Sequence, residues 1–151
     1  MKNYNSAFFN LFENVFLLLK SKYGEEIALE HFAELMQTGL SRSYGENFKT
    51  GCFEVFSKLV SERDELVGLK VTFRKINDNE FFYMFWDDPF PNLKDHVDAE
   101  KLDRCYMDFK VSYLLGPMWS YKTTKHLWWG DEYTEHRIFK KPCVLLSPDG
   151  K

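Results

Sequence analysis

Cysteine is scarce in this chain. Three occur in 151 residues, at positions 52, 105 and 143, and none stands in a C-x-x-C spacing. Three cannot all pair, and reduced thiols in a cytoplasmic protein are the simplest reading. Neither C-x-x-C nor H-E-x-x-H is present, so the expectation is no metal and no cofactor. A basic run is also missing. The net charge is -3 and the pair Lys140-Lys141 is too short to follow a phosphate backbone, which argues against nucleic acid as a partner. No uninterrupted apolar run of membrane length exists. Residues 8–19 come nearest, but Asn10, Glu13 and Asn14 break them, so neither a span nor a signal-peptide core is expected. No repeat, linker or low-complexity stretch divides the chain. The expectation is one domain over 1–151, with a helical part (1–66), a hairpin-helix-hairpin part (67–140) and a tail (141–151).

Aromatic residues are what the chain has in plenty. Fifteen Phe, eight Tyr and four Trp make up 18% of it. Such rings fill a core between few elements, or line a pocket for a flat ligand.

Ser6 is a candidate N-cap, followed by apolar residues at helical spacing from Phe8 to Leu19. That apolar stripe is wide, so the first helix is either deeply buried or shared with a second copy, a possible homodimer. Gly24 ends the helix. Glu25-Glu26 opens a second that runs to Gly39 or Tyr44, and a third covers residues 52–66. The period then changes to two. Leu69, Val71 and Phe73 alternate with polar residues, Asn77-Asp78-Asn79 turns the chain, and residues 81–86 complete a hairpin. Asp87-Asp88-Pro89 stops the second strand, and Asp98 is placed to cap a fourth helix running from Ala99 toward Tyr113. Gly116-Pro117 breaks that helix. Residues 121–128 and 133–139 read as a second hairpin about Gly130-Asp131. The fold class is α+β: an antiparallel sheet of two hairpins packed by about four helices.

A tight turn at Gly130-Asp131 pairs Trp128 with Tyr133, His126 with Glu135 and Thr124 with Arg137, all on one face. That face is either wet, with His126 merely paired to Glu135, or the wall of a pocket in which His126 exchanges protons. Cys105 and Asp108, three apart on the fourth helix, are either a core thiol with a solvent-facing carboxylate or a nucleophile with its orienting group.

Cys105-x-x-Asp108, the Lys122-Thr123-Thr124-Lys125 strand and Leu127-x-x-Gly130-Asp131 together resemble the L-2-amino-thiazoline-4-carboxylic acid hydrolase-like family over roughly residues 80 to 140. Where the family pattern often has cysteines, this chain has Asp88 before Pro89, and Tyr133-Thr134 after the Gly-Asp turn. The same arrangement is similar to the wider group of four-vinyl-reductase-like ligand-binding domains.

The resemblance implies a small-molecule hydrolase that opens a cyclic amidine to an N-carbamoyl amino acid. Cys105, Asp108 and His126 would be catalytic. Arg137 and Lys125 would hold the substrate carboxylate, and Trp86, Trp128, Tyr133 and Glu135 would line the pocket. The alternative is a domain without catalysis that binds a small flat ligand and senses it.

Overall fold

The computed structural model describes residues 5–142. The expected tail from Cys143 onward lies outside them. The elements run α1 (Ser6–Tyr23), α2 (Glu25–Tyr44), α3 (Phe53–Leu66), β1 (Val71–Asn77), β2 (Glu80–Phe85), α4 (Ala99–Leu115), β3 (Trp119–Lys125) and β4 (Thr134–Lys140). Short 3-10 turns stand at Pro91–Leu93 and Leu127–Trp129. The four strands form one antiparallel sheet in the order β1-β2-β4-β3, so the two hairpins join through their inner strands β2 and β4. Helices pack on one side of it. This is the α+β class.

Local chemistry accounts for most boundaries. Asn5, one residue before the expected cap, accepts a hydrogen bond from the Phe8 backbone N–H at 3.1 Å and starts α1. Gly24 separates α1 from α2 at φ 90°, a conformation that residues with a Cβ adopt only at a cost. Asp98 caps α4 as expected, accepting from Lys101 N–H at 3.1 Å. Asn77 Oδ1 accepts from Asn79 N–H at 2.8 Å and closes the first hairpin.

Phe81, Tyr83 and Phe85 alternate along β2 on the inner face of the sheet. They meet Phe53 and Phe56 of α3 and Tyr106 of α4. On the far side of α4, Phe16, Phe32 and Phe90 form an edge-on aromatic cluster with centroids 5.5–5.7 Å apart. Helix α1 buries Phe9, Glu13 and Phe16 but leaves Leu11 and Leu18 exposed, so one chain covers only part of its apolar stripe. The buried Glu13 carboxylate accepts from the backbone and side chain of Asn92, at 2.6 and 3.0 Å, and so ties the Pro89–Leu93 loop to α1. Among the described residues no helix is long and apolar enough to cross a membrane.

The second hairpin departs from its expected register. A shift between Thr123 and Lys125 places Lys125, not His126, opposite Glu135, and Lys122 opposite Arg137. Residues 126–133 then form a long loop around the 3-10 turn instead of a tight turn. Its shape is fixed by Asp131, which accepts from His126 N–H at 2.9 Å, and by His126 Nδ1, which accepts from Trp128 N–H at 2.9 Å. The bulge carries Lys125 to the Glu135 side of the sheet, while the alternation along β4 is the expected one. Thr134, His136 and Ile138 point inward, while Glu135 and Arg137 lie on the other face.

Candidate functional site

A cavity of about 250 Å³ opens between α1, α2, the end of α3, α4 and the Pro89-Phe90 loop. Phe8, Phe12, Leu35, Met36 and Leu40 supply apolar walls, and Gly39 lies on its exposed rim. Its deep end is charged. Asp64 of α3 and Lys110 of α4 are 4% exposed each, and Tyr106 is 8% exposed.

These polar groups are organised around Tyr83 of the central strand. The Tyr83 hydroxyl donates to Asp64 Oδ2 and accepts from Lys110 Nζ at 3.1 Å. Lys110 Nζ stands 3.7 Å from Asp64 Oδ1, too far for a hydrogen bond, and 5.2–5.6 Å from the ring centroids of Tyr83, Phe85 and Tyr106. Burial lowers the Lys110 pKa, against the attraction of Asp64, which raises it. Burial, and then the charge of Asp64, raise that of Tyr83 well above the usual range.

A second network adjoins the first through Tyr106. Its hydroxyl donates to Asp103 Oδ1 at 2.9 Å, and Asp103 Oδ2 accepts from His126 Nε2 at 3.0 Å. Because His126 Nδ1 accepts the Trp128 N–H, the proton of this ring is on Nε2. Trp128 Nε1 donates to Asp88 Oδ2 at 2.7 Å and holds the long loop against the Asp88-Pro89 segment. Burial raises the Asp88 pKa. The space left among these groups is only about 10 Å³, no more than a single water fills, so this network is packed and the larger cavity is not.

His136 completes the network from β4. Its Nδ1 lies 3.0 Å from Thr123 Oγ1, while Nε2 has no hydrogen-bond partner among the described residues and sits 3.8 Å from Asp103 Oδ2. Burial pushes its pKa down to about 4, outweighing the opposing pull of Asp103. The unfolded chain therefore takes up this proton near pH 6.5 and the folded chain only near 4. Stability is fully present above pH 6.5 and is lost as the pH falls toward 4, by on the order of 3 kcal/mol. Urea midpoints at pH 7 and 4.5 measure the loss, and His136→Leu flattens this slope relative to the parent protein.

The residues expected to act together are dispersed. Cys105 faces α2, with Sγ 3.6 Å from the Leu29 and Lys101 carbonyl oxygens, and lines neither cavity. Burial, then the charges of Asp103 and Asp108, push its thiol up to about 12. Asp108 is exposed, in an open, more polar depression of about 280 Å³ with Tyr121 and Trp119. Only His126 and Trp128 share a cavity. Arg137 pairs with Glu80, Lys125 donates to the Tyr133 hydroxyl at 3.0 Å, Tyr133 packs on Trp86, and Glu135 accepts from Thr124; none of them lines either cavity. The reason is that Glu135 and Arg137 lie on the sheet face opposite the inward Thr134, His136 and Ile138, together with the phase of α4, whose Asp103, Tyr106 and Lys110 carry the polar chemistry. Among the described residues no group of three or more His, Cys, Asp or Glu could hold a metal ion.

No protein-family model matches the chain, and no curated protein matches it either. Solved structures do match in fold. One is the crystal structure of the phenol-responsive sensory domain of the transcription activator PoxR with phenol. It aligns over 93% of this chain and 76% of that one, with a TM-score of 0.62 and 13% identity. At that identity the likeness is one of fold: this chain shares its architecture with a sensory domain.

Proposed function

We propose that this chain is a small-ligand-binding domain that senses a compact, mainly apolar molecule in the larger cavity. The observation that carries the reading is the cavity itself, about 250 Å³ with aromatic and aliphatic walls and its polar groups gathered at one end. An apolar cavity of about 150 Å³ is enough to hold benzene, so a single-ring ligand fits. The shared fold with a phenol-responsive domain supports a ligand of that size. Tyr106 gives binding a way outward: its ring lines the cavity, and its hydroxyl is tied through Asp103 to His126 at the base of the 126–133 loop.

The hydrolytic reading is the weaker one. Opening a cyclic amidine with a thiol requires a thiolate, and burial holds Cys105 far from that state. Calorimetry and thermal denaturation with toluene, phenol, benzoate and a 2-aminothiazoline carboxylate test the choice. Binding of at least one single-ring compound, stabilising by about 2.7 kcal/mol at a hundred times its Kd, is expected, without turnover. A flat response to every ring compound, or ring opening that Cys105→Ser abolishes, would contradict it.

A further inference from the structure

Lys110 has binding capacity that the fold does not use. An ammonium has three donors. Tyr83 accepts one, Asp64 stands beyond hydrogen-bond distance, and no other acceptor among the described residues is bonded to it. The side chain lines the cavity and is 5% exposed, so its desolvation has already been met in folding. Three charged side chains line this cavity: Arg63 and Lys110 against Asp64, an excess of one positive charge. Arg63 Nε donates to Ser43 Oγ at 3.1 Å, and among the described residues its terminal N–H groups make no hydrogen bond. One oxygen of Asp64 is already engaged by Tyr83, which weakens its hold on a further donor.

We infer that the ligand is a monocarboxylate, an aryl or short alkyl acid whose apolar body fills the Phe8, Phe12, Met36 and Leu40 end while its carboxylate meets Lys110. The inference rests on the larger cavity being the ligand site. Its physical basis is preorganisation: the cation is fixed, water-poor and short of acceptors, so an incoming anion gains a charge-assisted bond without moving it. A neutral ligand of the same shape offers that donor an uncharged, weaker acceptor, as in benzamide or phenol, or none, as in toluene.

The test compares benzoate, benzamide, phenol and toluene by calorimetry on the parent protein and on Lys110→Met. In the parent, benzoate should bind about tenfold or more tighter than benzamide, phenol or toluene, the effect of one charge-assisted hydrogen bond. In Lys110→Met the order should invert, with toluene bound at least as well as benzoate. A purely structural role for Lys110 would weaken all four alike and leave the ratio unchanged, which overturns the inference. So does a parent protein that binds benzamide, phenol or toluene as tightly as benzoate, and that result leaves the cavity standing as a ligand site. If none of the four binds the parent, the cavity fails as the site and the inference falls with it. The ladder on the parent protein decides the matter even if Lys110→Met does not fold.

Discussion

Asp64→Ala should destabilise the protein by about 3–5 kcal/mol, the cost of leaving a buried cation without its counter-charge. Asp64 is 4% exposed and is the carboxylate nearest Lys110, at 3.7 Å. Without it the Tyr83 hydroxyl loses its acceptor and the ammonium is left with that hydroxyl and aromatic rings. Two further results distinguish this from a simple packing loss. Burial already lowers the Lys110 pKa, and removing Asp64 lowers it further. The unfolded state then binds more protons than the folded one, so stability should rise with pH toward the ordinary lysine range. Asp64→Ala combined with Lys110→Met should recover most of the loss, because the double variant leaves no unmatched buried charge. Urea denaturation of the two single variants and the double variant reads all three effects. A single-variant loss below about 1 kcal/mol would mean that water reaches Lys110.

Asp103→Ala should cost a similar amount, about 3–5 kcal/mol, and should also release the 126–133 loop. Asp103 is 5% exposed and is the common acceptor for Tyr106 and His126. Its removal strands two buried donors, at about 1–3 kcal/mol each, together with the space the carboxylate leaves. Tyr106→Phe removes only one of these bonds and should cost about 1–2 kcal/mol, leaving the loop closed. Hydrogen exchange separates the two variants: the Trp128 and His126 amides, bonded to His126 Nδ1 and Asp131, should lose protection in Asp103→Ala and keep it in Tyr106→Phe. Unchanged protection in both would show that Asp131 alone holds the loop.

Much of the fold was legible because short-range chemistry sets it. Gly24, the Asp98 cap, the Asn77 turn and the shift from helical to alternating spacing after α3 all act within a few residues. The second hairpin was not, since its register depends on a bulge at Thr124 and on a histidine that turns out of the strand to meet a carboxylate 23 residues away. The site was less legible than the fold for the same reason. Two signals were present all the same. Asp64 continues the Phe56 and Val60 stripe at intervals of four, and Asp103, Tyr106 and Lys110 recur at three and four along α4. A charged residue on the buried stripe of a helix is costly to keep without a partner, and here the two helices supply partners for each other. Cys105 drew attention as a rare residue type, but its surroundings are those of a core thiol.

The claim that the larger cavity is the ligand site meets its most direct test at Gly39. This glycine lies on the cavity rim within α2, its φ is not positive, and a Cβ built there meets no atom within 4 Å. Gly39→Leu should therefore stabilise the free protein by about 0.5–1 kcal/mol, through helix propensity, while its side chain occupies the mouth of the cavity. Calorimetric titration of the parent protein and of Gly39→Leu, with the single-ring compound the parent binds best, is the measurement. The account predicts a higher melting temperature for free Gly39→Leu and affinity at least tenfold weaker than that of the parent. Undiminished affinity in a well-folded Gly39→Leu protein would place the ligand elsewhere and contradict it.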